Sequence, residues 1–135
     1  MIAWSRCAAA CFLGGFWIAW PAAAPGADEF RALWVDAFHP GLRSESEVRQ
    51  LLSDARAGHF NALIVQVRKR GDAYYQSRFE PKAPEVARGF DPLARVIELA
   101  HDPRAGPRLE VHAWMVAFNI WNQRHKLPPL ASHPY

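Results

Sequence analysis

The 135-residue sequence predicts an α/β fold, the N-terminal βαβαβ portion of a TIM-type (β/α)8 barrel, with about three of its eight strands. Two observations predict it. Strand-like and helix-like segments alternate, which in one sheet means parallel strands joined by right-handed crossovers. The three strands also have two unlike faces. Leu33, Val35 and Ala37, then Leu63, Val65 and Val67, then Val111, Ala113 and Met115 make one face wholly apolar, as expected beneath covering helices. The other face carries Trp34 and Asp36, then Gln66 and Arg68, then His112 and Trp114, at matching heights along the strands. A doubly wound sheet packs helices on both faces, where three polar rows would be costly to bury. A barrel turns that face toward its interior, which opens at the strand C-termini onto the active site. No Gly-rich phosphate turn follows the first strand, which also disfavours a dinucleotide fold.

The elements follow in order. Residues 1–24 read as an export signal: a positive start at Arg6, an apolar run over residues 7–20, and small residues at Ala22, Ala23 and Ala24 for cleavage. That run is shorter than the roughly 20 residues a permanent membrane anchor needs. Export to the periplasm or medium is therefore expected. The barrel portion occupies residues 28–122. FRALWVDAF, residues 30–38, is the first strand, ended by the turn His39-Pro40-Gly41. Ser44 to Glu47 is a capping box that starts a helix, with Val48, Leu51, Leu52 and Ala55 as its stripe and Gly58 as its stop. Residues 62–68 are the second strand. Asp91-Pro92 opens a second helix with stripe Leu93, Val96, Ile97 and Ala100, and residues 109–116 are the third strand. Residues 123–135, with Pro128, Pro129 and Pro134, form a Pro-rich loop at which the barrel is cut.

Composition excludes several functions. Both cysteines, Cys7 and Cys11, lie in the export signal, so the mature part has no disulfide or thiolate metal site. Setting aside Arg6 leaves 15 Lys and Arg against 13 Asp and Glu, too small an excess to imply nucleic-acid or membrane binding. His39, His59, His101, His112, His125 and His133 show no ligand spacing, so neither a metal nor another cofactor is expected.

Three strings, EFRALWVDAFHPGL, FNALIVQVRKRGDAYY and LEVHAWMVAFNIW, together resemble the start of the family 10 glycosyl hydrolase-like proteins (the DUF187 type). The resemblance covers nearly all of residues 29–121. It implies an exported barrel acting on cell-wall or other polysaccharide, with a glycan, polysaccharide or peptidoglycan, as the partner. Position by position it implies that Asp36, His39, Gln66, Arg68, Asp72, Tyr74, His112 and Trp114 line the sugar cleft. Val116 stands where many such proteins carry asparagine, and the nearest asparagine is Asn119.

Glycoside cleavage uses two carboxyl groups flanking the bond, about 5 to 9 Å apart. Asp36, Asp72 and Glu80 lie on the presumed cleft side, and Asp36 is the best placed. The alternative for Asp36 is an ion pair with Arg68 on the neighbouring strand. His112 is a second catalytic candidate through its titratable ring, against the commoner role of a hydrogen-bonding core histidine. Tyr74, Tyr75, Trp114 and Trp121 offer faces that stack on sugars, Trp34 is assigned to the core, and Lys69 and Arg70 to solvent. The catalytic pair itself is expected on later strands, beyond Tyr135. A non-catalytic carbohydrate-binding barrel, or a truncated product without activity of its own, are the rival readings.

Overall fold

The computed structural model of the chain describes residues 29–121 and 126–127. The expected export signal, residues 1–24, and all but two residues of the expected Pro-rich loop, residues 123–135, lie outside the described residues. The elements are β1 (Ala32–Val35), α1 (Glu45–Ala57), β2 (Ala62–Arg68), α2 (Pro92–His101), a 3-10 turn (Pro103–Ala105) and β3 (Glu110–Met115). The sheet order is β1-β2-β3 and every pair is parallel, with Ala32 opposite Ala62 and Ala62 opposite Glu110. This is the βαβαβ unit of a TIM-type barrel.

Both helices pack on one face of the sheet. Val48, Leu52 and Ala55 of α1 and Val96, Leu99 and Ala100 of α2 join Leu63, Val65 and Val67 of β2 in a single core cluster. Glu45, in the first turn of α1, receives the guanidinium of Arg95 through two bonds of 2.6 and 2.7 Å, which ties the helices to each other. The apolar side of α2 differs from the expected stripe. Pro92, Val96, Leu99 and Ala100 are buried while Ile97 is 39% exposed, because the helix turns its 92–96–99–100 row onto the sheet. The same face of β3 is only partly covered: Val111 packs on the core, whereas Ala113 and Met115 are exposed.

Helix ends follow from side-chain chemistry. The Ser44 hydroxyl accepts from the Glu47 amide at 3.4 Å, as the capping box requires. The Glu47 carboxylate does not reach back to Ser44; it accepts from the amides of Gly41 and Arg43 at 2.8 and 2.9 Å and so folds the β1–α1 loop. At the other end of α1 the left-handed residue is His59, with φ 57°, rather than Gly58. The His59 amide donates to Arg56 and the Phe60 amide to Ala55, the paired bonds of a Schellman stop. Gly58 is needed for space, since a Cβ there would sit 2.8 Å from the Phe60 ring. Asp91 caps α2 by accepting from the Ala94 amide at 3.0 Å, and also accepts from the Gln76 amide at 2.9 Å. Replacing Asp91 with alanine is expected to cost at least about 1 kcal/mol in urea unfolding, the worth of one N-cap.

Candidate functional site

β1 ends earlier than its sequence suggests, and the reason is Asp36. Its Oδ1 accepts from the backbone amides of Phe38 and His39 at 2.7 and 3.1 Å, which bends the chain out of the ladder just after Val35. The His39 ring closes the same knot, with Nδ1 2.8 Å from Oδ2 and 3.0 Å from Oδ1 of Asp36. Burial pushes the Asp36 carboxyl up, but the His39 ring and the two amides outweigh it and hold the group below its ordinary value of 3.8. An ionised carboxylate only accepts, so in this contact the Nδ1–H of His39 is the donor. The pair faces solvent, with the His39 side chain 80% exposed. It is His39, and not Arg68, that meets the Asp36 carboxylate.

Arg68 instead lies buried at the end of β2. Its Nε meets Glu80 Oε1 at 2.5 Å, and its Nη1 donates to the Val116 and Ala117 carbonyls, the latter at 3.0 Å. The Arg68 carbonyl accepts from the Val116 amide at 3.1 Å. One residue therefore fastens the loop after β2 to the segment leaving β3. Asp72 is also buried and accepts from the Arg70 amide at 3.1 Å. Next to it Gly71 has φ 76°, a left-handed conformation that glycine adopts without strain.

Lys69 and Tyr74 complete a buried polar knot. Lys69, expected in solvent, is 7% exposed and Tyr74 is fully enclosed. The three ammonium hydrogens of Lys69 find three acceptors: the Ala37 carbonyl at 3.2 Å, the Tyr74 hydroxyl at 2.7 Å and Glu85 Oε1. The Tyr74 hydroxyl lies 2.6 Å from Glu85 Oε1 and 2.9 Å from the Ala37 carbonyl. Burial, then the bond and charge of Glu85, push the Tyr74 phenol far above its ordinary range. Burial pushes Glu85 up, yet the bonds from Lys69 and Tyr74 prevail and keep it below its ordinary 4.5. Gln66, also buried, accepts the Ala37 amide at 2.8 Å. Arg70, the other cation expected in solvent, is half-buried, its guanidinium 4.9 Å from the Phe38 ring and 5.9 Å from the Trp121 ring.

The uncovered face of the sheet holds the rest. Trp34 is 62% exposed rather than in the core, and its ring meets Trp114 edge-on at 4.8 Å, bridging across β2. Register puts Trp34 and His112 level with Ile64, and Trp114 level with Gln66 one step nearer the C-terminal end. His112 is exposed, 3.1 Å from Glu110 and edge-on to Phe30 at 5.5 Å. The eight residues thus fall into two sets. Asp36, His39, His112 and Trp114 are accessible in whole or part, whereas Gln66, Arg68, Asp72 and Tyr74 are enclosed and bonded within the chain. Of the three cleft-side carboxylates, Glu80 is committed to Arg68 and Asp72 to its own turn, which leaves Asp36. The role of Glu80 and Glu85 had no periodic signal in the sequence. The available clue was two carboxylates in the loop that follows Arg68 and Lys69, two cations at the end of a buried strand.

A hollow of about 740 Å³, lined by Glu29, Phe30, Arg31, Asn61, Arg108 and Glu110, lies at the N-terminal ends of the strands. In a barrel the active site is at the opposite end, so this hollow is set apart from the Asp36 face.

Because Asp36 and Glu85 both ionise more readily when folded, the native chain binds fewer protons than the unfolded one in mild acid. The stability they contribute is present above the ordinary carboxyl values of 3.8 and 4.5 and is lost as pH falls through the folded values. Urea midpoints are expected to hold steady from neutrality to about pH 5 and to drop below it.

No family model matches the chain. Among curated proteins, it is 31% identical over 123 residues to "Glycosyl hydrolase YngK" of Bacillus subtilis (strain 168). The relationship is to a glycosyl hydrolase. The match takes in 78% of this chain and 23% of that protein, so the chain spans less than a quarter of the length of the curated relative it matches.

Proposed function

We infer that this chain is the N-terminal part of an exported family 10-like glycoside hydrolase barrel, and that it supplies one wall of a cleft for polysaccharide or peptidoglycan glycan. The observation that carries this reading is the uncovered sheet face, where the Trp34–Trp114 pair lies beside the open Asp36–His39 pair at the strand C-termini. Indole faces stack on pyranose rings and carboxylate and imidazole groups bond hydroxyls. The likeness to a glycosyl hydrolase supports the same reading. In it Asp36, His39, His112 and Trp114 meet sugar, while Gln66, Arg68, Asp72 and Tyr74 hold the wall in shape.

One carboxylate is not the pair that hydrolysis needs, so the reaction draws its second carboxyl group from elsewhere in the barrel. The single open carboxylate also favours the second reading, a barrel that binds glycan without cleaving it. The test is release of reducing sugars from peptidoglycan and a polysaccharide panel by the whole protein that carries this segment. Release that falls at least about tenfold in Trp114→Ala supports the hydrolase with Trp114 in its cleft. Retention on a glycan with no release supports binding alone, and neither retention nor release overturns both readings.

A further inference from the structure

Ala37 is held from both sides. Its amide is bonded to Gln66, and its carbonyl is met by Lys69 and Tyr74, residues that lie on β2 and in the loop that follows. The second of these grips has a direct consequence for Asp36. The Ala37 carbonyl and the Phe38 amide belong to one peptide group, and in a planar trans peptide they point in opposite directions. Anchoring that oxygen inward on Lys69 aims the N–H outward, where it meets Asp36 Oδ1 at 2.7 Å. A cation on the carbonyl also polarises the peptide and strengthens its N–H as a donor.

We propose that Lys69 and Tyr74, with Glu85 holding them in place, are positioning residues for the Asp36–His39 pair, acting through the peptide between Ala37 and Phe38. The role of these residues in a sugar cleft rests on the functional reading above; the mechanical coupling does not. The pair then has two layers. Phe38 N–H, His39 N–H and the His39 ring hold the Asp36 carboxylate, and behind the peptide the Lys69 ammonium holds the Ala37 oxygen. The Tyr74 hydroxyl has one hydrogen and shares it between Glu85 and Ala37, so Lys69 is the stronger of the two grips. The charged groups facing this knot are His39 on the Asp36 side and, around Tyr74, Lys69, Glu85, Asp72 and Arg43.

The coupling is read by nuclear magnetic resonance on the full chain, following exchange of the Phe38 amide and titration of the Asp36 carboxyl carbon. Lys69→Met is expected to speed Phe38 exchange at least about fivefold, the loss of one hydrogen bond's worth of order, and to raise the Asp36 midpoint. Tyr74→Phe, which keeps the ring and its packing, is expected to move both readings the same way by less. Glu45→Gln loosens the α1–α2 contact on the helical face and is expected to move neither. Should Lys69→Met fail to fold, Tyr74→Phe decides alone. Unchanged Phe38 exchange and Asp36 titration in the folded variants would overturn the proposal, as would equal shifts in Glu45→Gln. None of these readings involves sugar, so absence of hydrolysis and absence of coupling are separate results.

Discussion

Replacing Arg68 with methionine is expected to remove about 3–5 kcal/mol of stability, the cost of leaving one member of a buried ion pair without its partner. The Arg68 and Glu80 side chains are 9% and 16% exposed, so neither charge has much water to fall back on. The loss is not confined to that pair. The carbonyls of Val116, half-buried, and Ala117, exposed, also lose their donor. Methionine fills most of the volume, so the effect is electrostatic rather than a cavity. Urea unfolding at neutral pH checks it, through a lower midpoint at an unchanged slope. A loss under about 1 kcal/mol would place Arg68 among ordinary surface pairs and contradict the tether described for it.

Leu63→Ala is expected to cost about 2–5 kcal/mol by the same measurement. Leu63 lies in the central strand with no exposed surface, and belongs to the cluster that both helices share. Neighbours on the two sides limit how far the site can collapse, and the cost of a large-to-small change rises with the space left behind. Leu33, opposite it on β1, is only partly buried. Leu33→Ala should therefore cost clearly less, and equal losses at the two positions would show that β1 is as deeply packed as β2.

The regular elements were legible because their signals are local. β2 was readable to its limits, since Ala62 to Val65 are all apolar and the alternation Val65, Gln66, Val67, Arg68 carries the strand on to the charged stretch at Lys69. Ser44 and Asp91 announced the helices through the amides they accept within three residues. The two-faced pattern of the strands gave the barrel, and the structure keeps the uncovered face that pattern required. What could not be read was the chemistry of the loop after β2. Arg68 finds Glu80 twelve residues on and Lys69 finds Glu85 sixteen residues on, distances at which neither spacing nor propensity carries information. Trp34 was misplaced for a related reason. An aromatic residue inside a strand reads as core, and only the sheet's partners decide which face is covered.

The sheet order has a consequence for assembly. Each strand pairs with the next one in the chain, 30 residues apart for Ala32 with Ala62 and 48 for Ala62 with Glu110. Closing the longer loop costs only about 0.4 kcal/mol more than the shorter, far too little to dictate an order of events. Polar contacts distinguish the two crossovers instead. The end of the first strand is fastened through Ala37 by neutral Gln66 and Tyr74 and by Lys69, whereas the exit of the third strand is set against the guanidinium of Arg68, which Glu80 also meets. One side chain thereby joins the intervening loop to the segment leaving the third strand, so that loosening either one is felt by the other.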